Sequence, residues 1–554
     1  MAASRKADRA LAITGEKLYA ESLFTPGESV MHGGVLFSLP SLISQGLLRI
    51  FEVFKPLPAG FYGLHHIVLI LCFMALCRIK NPEQLKKVPA GEFGKIIGLD
   101  RIPQVEYFRE KIKQITDQSR CDELHSVLFE DWVQSMNQSE PFFYIDGHVR
   151  VYSGELAHLP KHFVSREKLC LSATVEFYVN NFQGLPLMVV TGELNERLKG
   201  AIEQCIKKIK AATPLPSDPQ KPHFTLVFDR EAYQPSWFIR LWEEHRVAVI
   251  TYRKNVKDKW DENIFNNTVI QFYDNEITMR LCEMESQIQS HRFREIRKLS
   301  ESGHQTSIIT THPFLETKYI AERMFTRWTQ ENFFKYMNAN FDFDKMIEYG
   351  SMELENKELT VPNPEYKQLS YQLKKAREKK SRLQSRLYQQ MNLETIKDVE
   401  IIKEKKKYNA WIEQIEDYHK EIERLLTQRK GIHPTIRVQD MPEEQRYNKL
   451  KTESKKLKNI ILMIAYRAES ALYALLPDFY KNATKDGREL LKDILSSEAD
   501  FIPDHDNKIL RVRLHTLSTT RANQAVKNLC DFLNDTKTVY PFTDLQLVYE
   551  TVAT

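Results

Sequence analysis

Three acidic residues lie in or directly after apolar segments. Asp146 is in FFYIDGHVRVY, Asp229 ends FTLVFD, and Glu331 is in a helical segment that runs from Leu315 to Met337. Three converging carboxylates repel one another, so a cluster of them is stable at neutral pH only when cations bind. Hard oxygen ligands favour two Mg²⁺ ions, which Mn²⁺ could replace. Such a pair of ions supports phosphoryl transfer on a nucleic acid.

Each carboxylate also has a plainer interpretation. These are a turn at Asp146 beside Gly147, a strand-end ion pair of Asp229 with Arg230, and a surface salt-bridge ladder formed by Arg327, Glu331 and Lys335. Taken singly, none of the three identifies a catalytic site. Their meaning depends on whether the fold brings them together.

The periodicity of the central region predicts such a fold. Alternating or apolar runs indicate strands at 142–146, 148–152, 170–179, 185–193, 224–229 and 247–252, with helices at 193–212 and 237–245. This order of antiparallel strands, helix, strand, helix, strand is the topology of the RNase H-like fold. In that fold the first and fourth strands are neighbours, so Asp146 and Asp229 should lie side by side, and the late helix can add Glu331.

A mainly β insertion is expected at about 255–300, before the strand TSIITTH. Arg253, Lys254 and Lys257 at its start are candidate phosphate contacts, or part of a solvated loop. Trp260 could stack on an extruded base. Packing within the protein is the alternative.

The N-terminal region, 1–135, reads as helical. Its short helices with Gly-containing turns are compatible with DNA binding, but equally with any small helical bundle. The segment 61–77 is the most apolar window of the chain. A membrane span needs roughly 20 residues, and this segment is shorter and contains His65 and His66, so a buried core helix is expected.

The pattern of apolar residues changes after the segment VPNP at 361–364. Apolar residues at heptad spacing predict an antiparallel coiled-coil hairpin, and the stretch 365–430 contains 17 Lys and Arg against 11 Asp and Glu. Its basic face is either solvated or in contact with DNA. Beyond it, a helix at 442–477 and a small α+β unit are predicted.

Composition limits the class of protein. The 554 residues are 42% hydrophobic and 28% charged, with a net charge of +5, which is ordinary for a globular protein of several domains. The seven cysteines include no Cys-x-x-Cys pair, as expected in a reducing compartment. The N-terminus lacks a signal-peptide pattern, so a cytoplasmic protein is expected.

The segments YIDGHVRVYSGE, LVFDREAY and RMFTRWTQENFFKYM resemble the DDE transposases of bacterial insertion sequences, in the group with a β-strand insertion between the second Asp and the Glu. The resemblance covers about 140–350. It implies Asp146, Asp229 and Glu331 as metal ligands, and water and then a DNA 3′-hydroxyl as nucleophiles. The family's third motif is Tyr, two residues, Arg, three residues, Glu, six residues, Lys.

This sequence keeps Arg327 of that motif but has Met324 at the Tyr position and Asn338 at the Lys position. Lys335, one turn after Glu331, could substitute as a phosphate contact. The candidate DNA-binding residues are therefore Arg327, Lys335, Arg230, Arg253, Lys254, Lys257 and Trp260.

The expected architecture is a multidomain α/β protein. Its predicted domains are an N-terminal helical DNA-binding region (1–135), an RNase H-like catalytic domain (136–350), a basic helical hairpin (351–435) and a C-terminal helical and α+β region (436–554).

The expected function is that of a DNA transposase in a prokaryotic cytoplasm, associated with the nucleoid. Its expected partners are double-stranded DNA, both the terminal inverted repeats of an element and target DNA, and further copies of itself in a dimer or higher synaptic complex; no membrane is expected. Two alternatives stay open: a catalytically inactive, transposase-derived DNA-binding or assembly protein, and a membrane-anchored coiled-coil scaffold.

Overall fold

The computed structural model describes most of the chain as two compact units. The described residues are 4–136, 140–152, 154, 159, 161–164, 168–192, 198–272, 275–343, 351–352, 360–391, 401–441, 446, 449–450, 452–478 and 480–552. The main unit comprises 1–153, 161–350 and 451–554, and the inserted unit comprises 154–160 and 351–450. Both contain helices and strands, so the protein is of mixed α/β class.

The N-terminal part of the main unit is mostly helical. Its elements are α1 Lys6–Thr14, β1 Gly27–Val30, α2 Leu39–Ser44, α3 Arg49–Val53, α4 Leu64–Leu76, α5 Ala90–Ile96, α6 Val105–Thr116 and α7 Cys121–Ser135. Helix α4 is apolar around its whole circumference and buried, including His65 and His66. The prediction of a core helix is therefore confirmed. Burial lowers the pKa of His65 to about 4, so the core holds this ring in its neutral form at pH 7.

A large sheet forms the centre of the main unit. Its elements, with their flanking helices, are β2 Phe142–Val151, β3 Lys161–Val164, β4 Leu169–Asn180, β5 Pro186–Thr191, α8 Leu198–Ala212, β6 Phe224–Phe228, α9 Pro235–His245, β7 Val247–Tyr252, β8 Asn266–Phe272, β9 Asn275–Ile288, β10 His291–Leu299, β11 Gln305–Thr310, α10 Thr317–Phe325 and α11 Trp328–Phe341. The strand order is β3-β4-β2-β6-β7-β11-β10-β9-β8, and β5 also pairs with β4. Strands β2, β6 and β7 are parallel, whereas β4 runs antiparallel to β2, and β5 to β4. The strands predicted for the insertion extend this sheet, because β11 pairs with β7.

Two local predictions for this region were wrong. Strand β2 continues through Gly147 instead of turning there, and Gly147 pairs with Phe177 of β4. An added Cβ at Gly147 would lie 3.1 Å from the Phe177 ring, so a residue without a side chain suits this close approach. The single helix predicted from Leu315 to Met337 is instead two helices, α10 and α11, with Thr326 and Arg327 between them.

The C-terminal part of the main unit completes its core. Its elements are α14 Glu453–Leu475, α15 Ala483–Ser496, β16 Ala499–Asp504, β17 Ile509–Leu514, α16 Thr520–Asp535 and β18 Gln546–Thr551. Helices α12 and α13 and strands β12–β15 belong to the inserted unit. The predicted α+β character of this end is confirmed. Strand β1 joins its sheet, in the order β1-β16-β17-β18, so residues from the two ends of the chain share one sheet.

Helix α14 carries charged residues into the interior. Glu176 of β4 is fully buried and pairs with Arg150 at 3.0 Å and with Lys455 of α14 at 2.7 Å. Asn459 of α14 donates a further hydrogen bond to Glu176 at 3.1 Å. The segment Glu453–Asp478 is long and apolar enough to span a membrane by composition, but 67% of its apolar window is buried within the protein. A core helix passes the same test of composition.

The inserted unit is built on a helical hairpin. Its elements are β12 Ser351–Met352, β13 Thr360–Pro362, α12 Pro364–Met391, α13 Ile401–Lys430, β14 Thr435–Arg437 and β15 Lys449–Leu450. Helices α12 and α13 are antiparallel, since Lys380 contacts His419 while Asn363 contacts His433. Among the side chains of the hairpin that are described, the buried ones are Leu373, Ala376, Ile422 and Leu425. Ser351 pairs with Leu450, so the two ends of the segment 351–450 lie side by side.

Candidate active site

The sheet places two of the predicted carboxylates side by side. Strands β2 and β6 are parallel, with Ile145 in register with Phe228. Asp146 and Asp229 each follow their member of this pair, and they therefore lie at adjacent positions on neighbouring strands. The turn interpretation of Asp146 was wrong, since this residue is within a continuous strand.

The two aspartates have matching surroundings. Oδ1 of Asp146 accepts a hydrogen bond from the backbone N–H of Gly147 at 2.9 Å, and Oδ1 of Asp229 accepts one from the N–H of Arg230 at 2.7 Å. In both residues Oδ2 faces the guanidinium group of Arg327. The distances are 3.4 Å from Nη1 to Asp146 and 3.8 Å from Nη2 to Asp229.

Arg327 is buried, whereas the carboxylates are partly open to solvent. The side chain of Arg327 is 8% exposed, against 22% for Asp146 and 40% for Asp229. The predicted surface ladder is therefore wrong for Arg327. This residue reaches the aspartates from the break between α10 and α11, which the helical periodicity of the sequence did not indicate.

Helix α11, which contains Glu331, packs on the same strand as Asp146. The ring of Phe334 stacks on His148 with centroids 4.8 Å apart. The hydroxyl of Tyr336 donates a hydrogen bond to Glu469 of α14 and accepts one from Arg78 at 3.0 Å. The side chain of Glu331 lies outside the described residues, so its predicted role stays a prediction.

The residues that depart from the third motif have different surroundings. Met324 is fully buried in an apolar cluster with Ile320 and Phe325, where a thioether packs well. Asn338 is half-buried, and Lys335 is exposed. Lys335 is therefore available to a phosphate, whereas Met324 is a core residue.

A basic groove of 560 Å³ begins beside Asp229. It is lined by Arg230, Lys257, Lys259 and His304, all exposed, among other residues. The groove also contains Asp258, whose carboxylate pairs with Arg297 at 2.6 Å. His304 was not singled out from the sequence, since it comes close to the others only because β10 and β11 form a hairpin.

Three other predicted DNA contacts lie in the insertion or just before it. Trp260 is 9% exposed, and the guanidinium carbon of Arg297 lies 4.2 Å from its ring centroid. This placement favours the packing alternative. Arg253 forms an ion pair with buried Glu295 and is 16% exposed, and its neighbour Lys254 is half-buried.

The donor set fits a divalent cation. Asp146 and Asp229 present carboxylate oxygens, the hard ligands that Mg²⁺ and Mn²⁺ prefer, on a side open to solvent. Two aspartates are too few to hold such an ion by themselves in most proteins. Among the residues whose side chains are described, no three His, Cys, Asp or Glu side chains form a metal-binding group, and Glu331 is not among them.

Comparison with known proteins identifies the family. A search of the curated proteins finds no match. Among solved structures, the chain is similar to a piggyBac transposase in a cryo-EM synaptic complex with hairpin DNA, at 10% identity over 54% of this chain and 68% of that chain, with a TM-score of 0.31. Likeness at that TM-score carries no argument about function. The family model described as "Transposase protein", Transposase_29, matches residues 1–553, and the chain therefore belongs to this family of transposases.

Proposed function

We propose that this transposase cleaves and joins DNA strands by metal-dependent phosphoryl transfer at Asp146, Asp229 and Glu331. Family membership supports a role in DNA transposition. The observation that carries the finer proposal is the pair of aspartates at the parallel β2–β6 junction, with both Oδ2 atoms directed at one cationic group.

An RNase H-like core is part of this proposal. Its support is the strand order β5-β4-β2-β6-β7, with the first three strands antiparallel and the last two parallel to β2. Helix α11 supplies the remaining element, since Phe334 fixes it against His148, two residues after Asp146. Residues three apart share a helix face, so Glu331 is the acidic residue of α11 that we expect at the aspartates.

Asp146, Asp229 and Glu331 would hold two Mg²⁺ ions, which supply activation of the attacking oxygen and stabilisation of the leaving oxygen at a phosphodiester. The protein orients the two aspartates through the backbone N–H groups of Gly147 and Arg230. The backbone therefore sets the orientation of the two carboxylates before the substrate binds.

The DNA would approach along the basic groove. Arg230, Lys257, Lys259 and His304 line it next to Asp229, and their cationic groups match a phosphate backbone. Lys335 is exposed on α11 and supplies a further candidate contact. We propose the ends of the element and the target as the substrates, and a dimer or larger synaptic assembly as the active form.

The test is strand cleavage by variants of the two aspartates. Asp146→Asn and Asp229→Asn should each lower Mg²⁺-dependent cleavage of an end-containing duplex by at least about a thousandfold, because removal of one ligand disrupts cation binding. Asp218→Asn, which changes an exposed aspartate of the connector before β6, is the matched control and should cleave normally. Full cleavage by Asp229→Asn would refute the assignment.

The inactive, DNA-binding alternative is favoured by one observation. Met324 occupies the Tyr position of the family motif and is wholly enclosed by apolar side chains, where it cannot bind a polar substrate group. If the purified protein binds the ends of its element but neither cuts nor joins them with Mg²⁺ or Mn²⁺, this second function is correct.

A further inference from the structure

The guanidinium group of Arg327 occupies the space between the two carboxylates. Each of its terminal nitrogens faces the Oδ2 atom of a different aspartate, at 3.4 Å for Asp146 and 3.8 Å for Asp229. A charge-assisted N–H···O bond is typically about 2.7–2.9 Å long, and arginine commonly binds one carboxylate with both nitrogens. Arg327 instead faces both carboxylates at longer distances.

This arrangement solves an electrostatic problem of the cation-free protein. Asp146 and Asp229 follow residues paired on parallel strands, and the Oδ2 atoms of both lie next to the same guanidinium group, at 3.4 and 3.8 Å. Two like charges this close destabilise the fold unless a positive charge lies between them. Arg327 supplies that charge, and its burial leaves little water to screen the interaction.

We propose that Arg327 is the internal counter-ion of the cation-free site, and that a divalent cation must displace its guanidinium group from Asp146 and Asp229 in order to bind. The inference rests on the proposed function, since it takes the two aspartates as cation ligands. It assigns Arg327 a positioning role: the residue preserves the carboxylate pair before loading and opposes loading itself. Once displaced, the guanidinium group is released next to the cation, where a DNA phosphate would lie.

Cation binding without DNA tests this role directly. Free Mn²⁺ is measured by electron paramagnetic resonance while it is titrated into the wild-type protein and into Arg327→Gln. The variant should bind Mn²⁺ about tenfold more tightly, because the guanidinium group of residue 327 no longer competes for the aspartates. Arg327→Lys, which keeps the charge, should bind Mn²⁺ with an affinity close to that of the wild type.

Arg323→Gln is the matched control. Arg323 lies one helical turn earlier, and its guanidinium carbon is 3.7 Å from the ring centroid of Phe182. Its removal takes away the same charge at a similar place in the chain without touching the aspartates, so Mn²⁺ affinity should stay at the wild-type value. Asp229→Asn should lose Mn²⁺ binding.

A thermal measurement provides an independent readout. Without Mn²⁺, Arg327→Gln should unfold at a lower temperature than the wild type, because the aspartates lose their counter-ion. At saturating Mn²⁺ this difference should disappear. A variant that stays destabilised by the same amount at saturating Mn²⁺ would show a purely structural role and overturn the proposal.

The outcomes separate this proposal from the proposed function. If Arg327→Gln binds Mn²⁺ no more tightly than the wild type while Asp229→Asn still loses binding, the counter-ion role is wrong and the metal site stands. If neither the wild type nor Arg327→Gln binds Mn²⁺, the counter-ion role and the metal site both fail.

Discussion

The carboxylates of Asp146 and Asp229 are each oriented by the backbone of the residue that follows. Each uses Oδ1 to accept a hydrogen bond from the backbone N–H of the next residue, while its Oδ2 faces Arg327. The sequence contains the signal for both, an acidic residue at or near the end of an apolar strand. It contains no comparable signal for Arg327, whose contact with them depends on a helix break.

Glu176 is the second residue whose surroundings lead to a measurable effect. Burial alone would raise its pKa, but the charges of Arg150 and Lys455 outweigh burial and lower the pKa to about 2, from an ordinary value of 4.5. A carboxyl whose pKa is lower in the folded protein stabilises the fold at pH values above its unfolded pKa. This contribution is lost as the pH falls from 4.5 towards 2.

Glu176→Gln should therefore destabilise the protein at pH 7 by about 3 kcal/mol, since it leaves Arg150 and Lys455 without a compensating buried charge. The difference from the wild type should shrink as the pH falls from 4.5 to 2. Thermal unfolding at a series of pH values measures both effects. A difference that is independent of pH in this range would contradict the charge argument.

At the scale of elements, the periodicity of the sequence predicted the helices and strands that depend on local pattern. Strands β4 to β7 and helices α8 and α9 follow from alternation, apolar runs and helical spacing. The errors arose where a tertiary contact overrides a local signal. Glycine next to an aspartate is typical of a turn, but Gly147 lies within a strand and leaves room for the ring of Phe177.

Partner choice between distant elements could not be read from the sequence. The pairing of β1 with β16 joins segments from opposite ends of the chain, and nothing in GESV (27–30) specifies ADFIPD (499–504) as its partner. The same is true of the residues that α14 contributes to the core, because a buried charge is visible in a sequence only as an exception to an apolar pattern. The role of Glu331 on α11 as a third carboxylate stays a prediction. The described contacts of α11 show that this helix packs on β2.

Helix α11 gives a prediction at this scale. Tyr336→Phe removes a hydroxyl that bonds to Glu469 and Arg78, and should cost about 1–3 kcal/mol because buried Glu469 loses a donor. Since α11 contains Glu331, we also expect slower DNA cleavage with unchanged DNA affinity.

Tyr319→Phe, on the exposed face of α10, is the control and should behave like the wild type. Thermal unfolding and single-turnover cleavage provide the measurements. Normal stability in Tyr336→Phe would show that the hydroxyl does not anchor the helix.

At the scale of the whole molecule, the two ends of the segment 351–450 lie side by side. Strands β12 and β15 pair, with Ser351 opposite Leu450, so a short link can replace everything between them. Replacement of 353–448 by a short Gly-Ser turn should leave the main unit folded, with a thermal midpoint close to that of the same unit in the full chain.

Circular dichroism should show the loss of the two long helices of the hairpin and of little else. DNA binding by the shortened protein then decides whether the basic hairpin contacts DNA or is a solvated element. If the shortened protein is insoluble under conditions in which the wild type is soluble, the main unit does not fold without the inserted segment.

The place of α14 in the main unit has a consequence for biosynthesis. A ribosome that has translated β2 and β4 has already made Arg150 and Glu176, but Lys455 and Asn459, which complete their buried network, emerge only about 280 residues later. Until then Glu176 lacks two of its partners in the folded protein. We therefore expect the central sheet to reach its final packing only after α14 has left the ribosome, so that a chain stalled before residue 452 does not yet hold Asp146 and Asp229 in the arrangement of the folded protein.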